Sequence, residues 1–377
     1  MIPLFEHNSL QLLQGKLVQL SPMAVPFDDD IIADIAAFSQ FLLQKQHSNA
    51  LSALGFWCRK ANLLAMKKHY MALNHSQPRG LVFHITPANV DTVYFYSLVL
   101  SMLCGNCNVV RISDRSGEQA YQLIALLNEF LSLYPDSVLS SLCAVVSYPN
   151  DVQVITEHFS EHCDMRIIWG GDDAIAKINQ QANVQHQICF PDRYSLAVLR
   201  LATEDDIALA VTRFIRDFNA FSQQACSSPK AILWYKTPLE LQHVFWQSLR
   251  LELSKEQSQF SQTAKANRLY YLQQLILQAD INIQALAKHP EFMCCELGEF
   301  SPSMLLHHQG DGLILSCQIS SLVLEKTDKL QTISYFGLNN AEQNQLASIA
   351  IRAVALGQAL IFDHYWDGVD LLAELSC

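Results

Sequence analysis

Residues 80–112 read GLVFHITPANVDTVYFYSLVLSMLCGNCNVVRI. Leu81 to Ile85 form a short apolar run closed off by Gly80 on one side and Thr86-Pro87 on the other, which predicts a buried strand. Thr92 to Leu103 then predicts a helix, Gly105-Asn106 a break, and Asn108 to Ile112 a second strand. A strand, a helix and a strand at this spacing predict a parallel pair, the unit from which doubly wound sheets are built.

The same alternation continues downstream. A helix is expected at Glu118 to Leu133, a strand at Leu142 to Ser147, a helix at Val152 to His162 and a strand at Met165 to Trp169. A helix at Asp173 to Gln181 and a last strand at Tyr194 to Leu199 complete the run. Upstream, Asp28-Asp29-Asp30 caps an apolar-periodic helix over Ile31 to Leu43, and a second helix is expected over Leu51 to Leu73. The predicted fold is therefore α/β, with a doubly wound parallel sheet whose ligands lie at the strand C-termini.

From Thr203 the texture changes to a helix at Asp205 to Phe218, a helical block from Pro238 to Leu286, and strands resuming at 313–315, 322–324 and 331–336. The expected division is 1–199 for N-terminal helices and a dinucleotide-binding domain. Residues 200–340 are expected to form a second α/β domain, and 341–377 a C-terminal segment for packing or subunit contact.

Half of the 377 residues are hydrophobic and 16% are charged, so the chain can bury a sizeable core. A net charge of −11 argues against a nucleic-acid partner, which requires a basic face. The first residues lack the layout of a signal peptide, and the longest apolar run, Val93 to Met102, is too short and too polar to span a bilayer. With 11 scattered cysteines, free thiols in a reducing cytoplasm are the expected state. Cys104 and Cys107 form a C-x-x-C that is either a redox dithiol or small-residue packing. No second pair or histidine set completes a metal site, so no metal is expected.

Several segments carry residue types suited to chemistry. Asn219 to Lys230 reads NAFSQQACSSPK, placing Cys226 after a glutamine-rich turn and just before a predicted strand. A thiol so presented is either an acyl-accepting nucleophile or a partly buried structural cysteine. At the first strand end, Thr86-Pro87-Ala88-Asn89 offers an amide that is either a helix cap or a donor to an oxyanion. Arg111-Ile112-Ser113, with Asp114 and Arg115 after it, suits a phosphate or ribose, the plainer reading being a surface ion pair. Trp169-Gly170-Gly171 ends a strand in two glycines before a helix, which would let a pyrophosphate approach the backbone. His186 precedes Pro191-Asp192-Arg193 and either polarises Cys226 or is a solvated loop histidine.

The order of these features resembles the aldehyde dehydrogenase superfamily. The wording of GLVFHITPANVDTVYFYSL, GNCNVVRIS, IIWGGDDAI, FPDRYSLAVL, FSQQACSSPK, LQTISYFGL and LGQALIFDHYWDG is closer to one branch of it. That branch is the long-chain acyl-CoA reductases, the fatty acid reductases of the bacterial luminescence type. The similarity runs in matching order from about residue 80 to 372, while the N-terminal 70 residues match poorly.

The resemblance implies that Cys226 attacks an acyl thioester and expels coenzyme A. It implies that Asn89 and the Cys226 backbone N–H hold the oxyanion, and that a reduced nicotinamide supplies hydride to yield an aldehyde. Cofactor contacts would come from Thr86, Pro87, Arg111, Ser113, Arg115, Gly170 and Gly171. The superfamily's water-activating glutamate is missing, since Gln187 to Asp192 reads QICFPD, though Asp192 could stand in as a base. Arg115 would favour NADPH through a 2′-phosphate, whereas Asp114 could accept from a 2′-hydroxyl and favour NADH. Expected partners are an acyl-CoA or acyl-protein substrate, an acyl-protein synthetase and further copies of the chain. The competing readings are an aldehyde dehydrogenase working in the oxidative or acylating direction and a non-catalytic relative.

Overall fold

Leu81–Ile85 is buried along its whole length because it is the central strand of a sheet covered on both faces. The computed structural model describes residues 5–45, 48–73, 75, 77–86, 92–114, 116–182, 184–255, 260–277 and 281–377. It divides into two compact units, 1–191 with 362–377 and 192–361.

In the first unit, β1 (Gln11–Gln14), β2 (Leu81–Ile85), β3 (Cys107–Ile112), β4 (Cys143–Ser147), β5 (Met165–Trp169) and β6 (Gln187–Phe190) form one sheet in the order β1-β4-β3-β2-β5-β6. All neighbours are parallel except β1, which runs antiparallel to β4 at one edge. The period of 2 along each strand sorts side chains to opposite faces. Val82, Val110 and Ile167 join a core with the helices Asp29–Gln44, Val93–Leu103 and Glu118–Leu133. Phe83, Val109 and Ile168 join another with Ile155, Phe159 and Ile175 from the helices Gln153–His162 and Asp172–Gln181. His84, in the middle of β2, is fully buried. Its ring bonds Ser97 Oγ at 3.1 Å and Asn108 Oδ1 at 2.9 Å, and burial pushes its pKa down to about 4, so it is a neutral core residue.

The second unit has a seven-stranded sheet built from β7 (Tyr194–Leu199), β8 (Pro229–Tyr235), β9 (Ile283–Lys288), β10 (Met293–Leu297), β11 (Leu313–Ile319), β12 (Leu330–Phe336) and β13 (Arg352–Ala355). The order is β13-β12-β7-β8-β11-β10-β9, parallel throughout except for β9 at its edge. The helix Asp205–Phe218 covers one face with Ile207, Ala210, Val211, Phe214, Ile215 and Phe218, the spacing of a single apolar stripe.

The structure differs from the sequence reading in several places. Tyr194–Leu199 was expected to close the first sheet, but it pairs with β8 and β12 of the second; Gln187–Phe190 closes the first instead. That strand alternates half-buried with buried residues, a weaker signal than a continuous apolar run. The helix expected over Leu51 to Leu73 is two, Asn49–Trp57 and Lys60–Met71. The block from Pro238 to Leu286 is likewise two helices, Leu239–Lys255 and Gln262–Ile276, followed by the edge strand β9. Residues 322–324, expected as a strand, are irregular, with Val323 79% exposed and so unable to serve in a core strand.

The C-terminal segment, set apart at 341–377 in the sequence reading, belongs to two places. Arg352–Ala355 adds a parallel strand to the second sheet. Residues 362–377 belong to the first unit, where Leu371, Leu372 and Leu375 are fully buried, Trp366 packs on the core, and Trp57 Nε1 donates to the Phe362 carbonyl at 3.0 Å. Tyr365 stays 52% exposed.

Candidate active site

Cys226 lies at the amino edge of the second sheet, in a turn with unusual backbone. The helix ending at Phe218 is followed by Phe221, Ser222 and Gln223 with φ of 51°, 52° and 64°. Three successive non-glycine residues in the left-handed region cost about 1–2 kcal/mol each, so surrounding bonds must hold them. Gln223 is fully buried and does most of this. Its Nε2 donates to the carbonyls of Pro229 and Leu313, both at 2.8 Å, and its Oε1 accepts from Gly312 N at 3.0 Å. The Asp311 N–H donates to the Ser222 carbonyl at 3.0 Å, and the Asp311 carboxylate accepts from Gln224 Nε2 at 2.9 Å and Asn267 Nδ2 at 3.1 Å.

On the far side of the turn, Ser195 Oγ donates to the Cys226 carbonyl at 2.7 Å and accepts from Thr332 N at 3.1 Å. Ser227 Oγ donates to Gln331 Oε1 at 3.0 Å. The starts of β7, β8, β11 and β12 thus fix the loop, and Cys226 stays half-buried within it. The contrast with Cys104 and Cys107 is plain. Both are buried, their sulfurs lie near the carbonyls of Leu372 and Gly80, and burial pushes their thiols up, Cys107 to about 11. Of the two readings of that C-x-x-C, small-residue packing is the one these surroundings support.

On the Gly310–Asp311 side of the turn are groups to which the sequence reading assigned no role. Lys230 is 3% exposed, and its ammonium donates to the Gln223 carbonyl. His308 is buried with Nδ1 accepting from Gly310 N at 3.1 Å and Nε2 without a partner; burial first, and then the Lys230 charge, holds its imidazole well below the ordinary range. Arg268 is buried with Nε and Nη1 unpartnered. Lys230 was visible four residues after the cysteine, and Gly310-Asp311-Gly312 was visible as a glycine-flanked acid. Their meeting depends on β11 lying beside β8, which local pattern does not reveal. His186, the histidine expected to polarise the thiol, is exposed, belongs to the first unit, and uses its backbone carbonyl to accept from Arg166 N at 3.0 Å.

The expected cofactor residues that are described fall on three adjacent strands of the first sheet. Thr86 follows β2, Arg111 and Ser113 end β3, and Gly170-Gly171 follow β5. The chain runs outward from β2 through β3 to β4, then returns to β5 on the other side of β2. The gap between β2 and β5 is therefore the switch point at which open α/β sheets bind ligands. Thr86 N and Oγ1 both donate to the Arg111 carbonyl at 3.1 Å. Arg111 is not the surface ion pair of the plainer reading. It is 7% exposed, its guanidinium lies 5.1 Å from the Tyr148 ring centre, and Nη2 donates to the Tyr148 carbonyl at 3.1 Å and to Asn150 Oδ1. Its Nε is buried without a partner, an orphan donor of the kind an anionic or ribosyl group would satisfy.

Gly171 caps the helix Asp172–Gln181 with φ of −63°, and Asp172 and Asp173 already complement the positive end of that helix. Asn89, Pro87 and Arg115 lie outside the described residues.

One described group brings metal-ligating atoms within 4.8 Å of one another: His69, His364 and Asp370. His69 Nε2 meets Asp370 Oδ2 at 2.9 Å and His364 Nδ1 meets Asp363 Oδ1 at 2.7 Å, so each ring already has a carboxylate partner. No helix among the described residues is long and apolar enough to cross a membrane.

Comparison with known proteins agrees with this fold. The chain resembles aldehyde dehydrogenase folds in solved structures. An oxidoreductase from Marinobacter aquaeolei superposes with a TM-score of 0.64 at 13% identity, over 92% of this chain and 82% of that one. Lactaldehyde dehydrogenase from Escherichia coli gives 0.62 at 12% identity, over 92% and 83%. Among curated sequences, the long-chain acyl-protein thioester reductase of Aliivibrio fischeri is 24% identical over 168 residues, 44% of this chain and 34% of that protein. Long-chain acyl-protein thioester reductase 2 of Photobacterium leiognathi is 24% identical over 180 residues, 47% and 36%. The matched stretch is thus about a third of each curated relative's length. The family model described as acyl-CoA reductase (LuxC) matches residues 29–274, more than half of the sequence, and the chain belongs to that family.

Proposed function

We propose that this protein reduces a fatty acyl thioester to the aldehyde through an acyl-enzyme on Cys226. The observation that carries the reading is the pinned turn at the amino edge of the second sheet, which spends three left-handed residues and a buried glutamine to display one half-buried thiol.

In this reading the Cys226 sulfur attacks the thioester carbonyl, and the carbon–sulfur bond to coenzyme A or to an acyl-protein breaks, releasing that thiol. The Cys226 backbone N–H donates to the oxyanion, and Asn89 has the same role. The chemistry a reduced nicotinamide would supply, when bound, is the hydride. Cys226 then leaves as the thiohemiacetal collapses to aldehyde.

Thr86, Arg111 and Ser113 at the switch-point edge, with Gly170-Gly171, are the residues that would hold the nucleotide. Arg115 favours NADPH. The relatives' names, acyl-protein thioester reductases, support an acyl thioester as substrate, and we extend the partners to an acyl-protein synthetase and to further copies of the chain. The strand Gln187–Phe190 supports reduction over hydrolysis: it has no carboxylate, and its Gln187 is bound to Arg166 Nε at 2.7 Å.

Labelled acyl-CoA should leave label on wild-type protein and none on Cys226→Ala, which should also lose NADPH-dependent aldehyde formation while remaining folded. Aldehyde formation retained by that variant would refute the nucleophile. Rapid release of free fatty acid without cofactor would instead favour hydrolysis. Repeating the assay with NADH and with an Arg115→Ala variant tests the cofactor assignment.

A further inference from the structure

Lys230 is the second residue of β8, and the pleat sends it to the same face as Ile232 and Trp234, into the core. Among the described residues no carboxylate lies within ion-pair distance of its ammonium, whose hydrogen-bond acceptor is the Gln223 carbonyl. The fit is close, since a Cβ on Gly310 would stand 2.9 Å from Nζ. A buried ammonium without an anion is ordinarily paired or lost.

The charged and titratable groups acting on this corner are few. Lys230 binds the Gln223 carbonyl and the Asp311 N–H donates to the neighbouring Ser222 carbonyl, so both meet at the turn that leads to Cys226, while His308, bonded to Gly310 N, is held neutral. Among the described residues neither Lys230 nor Arg268 has a carboxylate within ion-pair distance, and the Asp311 carboxylate accepts from Gln224 and Asn267 instead. Both cations are left without an ion pair.

We infer that Lys230 is a positioning residue that keeps Cys226 as a thiolate, the sulfur being the anion this corner otherwise lacks. This rests on the reading of Cys226 as the acyl acceptor and adds the source of its reactivity. The thiol gives its proton to solvent, the thiolate sits in the field of the ammonium, and no other group changes its charge. Burial pushes the Lys230 ammonium down to about 8, with Cys226 and Asp311 opposing that shift. The hold is therefore present while Lys230 is charged and fades as pH rises through that value.

Peptide-resolved alkylation of Cys226 by iodoacetamide in the full chain, from pH 5 to 10, tests this. The wild-type midpoint should lie below the ordinary thiol value of about 8.5, and Lys230→Met should raise it by about one unit, slowing alkylation at pH 7 about tenfold. Lys230→Arg keeps the charge and should stay near wild type. Asp311→Asn, which tolerates the left-handed backbone and removes the competing anion, should lower the midpoint, and it keeps the test open should the methionine variant not fold. An unchanged midpoint in folded Lys230→Met, or a raised one in Asp311→Asn, overturns the inference. The midpoint is read without substrate. Aldehyde formation by Cys226→Ala would therefore refute the nucleophile while leaving the electrostatic result standing.

Discussion

The backbone of Gly310 passes so close to the carbonyl oxygen of Gln223 that a Cβ would collide with it. Gly310 also sits at φ of 100°, a conformation that side chains rarely adopt. Neither obstacle can relax cheaply, because the oxygen belongs to the strained turn before Cys226 and is bonded to Lys230. Gly310→Ala is therefore expected to lower stability by more than about 2 kcal/mol. Urea denaturation followed by tryptophan fluorescence measures this, and wild-type stability in the variant would show that the turn yields freely.

Gln223→Leu keeps the volume and removes the amide. The carbonyls of Pro229 and Leu313 and the N–H of Gly312 would each lose a buried partner. An unsatisfied buried group costs about 1–3 kcal/mol, so a total of roughly 3 kcal/mol or more is expected. A smaller loss, with unaltered Cys226 alkylation, would mean that the left-handed run holds without its brace.

Much of the fold was legible in the sequence. Leu81–Ile85 and Met165–Trp169 are buried at every position and read as mainly apolar runs bounded by turns, interrupted only by His84 and Arg166. The edges were not legible. Gln11–Gln14 and Ile283–Lys288 are largely exposed and carry no apolar run, and Tyr194–Leu199 has the same buried texture whichever sheet it enters. At the candidate site, the turn residues and the cysteine stood out locally. Lys230, Arg268, His308 and Asp311 come together only through strand order and helix packing, and sequence spacing carries no record of that. The proposed cofactor contacts came from the resemblance to a family, and the strand order places Thr86, Arg111 and Gly170 at the ends of three adjacent strands.

Asp217, one residue before the end of its helix, is 1% exposed and accepts from Gly357 N at 2.7 Å and Ala359 N at 2.9 Å. Burial, the largest cause, pushes its carboxyl up to about 6 despite those bonds. A carboxyl whose folded value is raised binds its proton more tightly when folded. Its stabilising contribution is complete below the unfolded value near 3.8 and is lost as pH rises through about 6. A shift of two units corresponds to up to about 3 kcal/mol. Between pH 4 and 7 the stability of wild type relative to Asp217→Asn should therefore fall with rising pH. A difference that rises or stays flat over that window, measured by urea melts at several pH values, contradicts the assignment.

Arg111 offers the sharpest test of the switch-point edge. Its Nη2 is committed to the Tyr148 carbonyl and Asn150, which fixes the plane of the guanidinium and leaves Nε buried without an acceptor. An ammonium has no planar fork, so Arg111→Lys keeps the charge but cannot bond both neighbours and still present a third donor. A charge-assisted hydrogen bond contributes about 1.5–3 kcal/mol, so its loss should weaken binding of a reduced nicotinamide nucleotide roughly tenfold or more. Arg111→Met should weaken it further, since the cation is lost too. Titration of nucleotide fluorescence on the full chain gives the Kd for each variant. Equal affinity in wild type and Arg111→Lys would mean that the orphaned Nε faces no ligand and that the nucleotide binds elsewhere on the sheet.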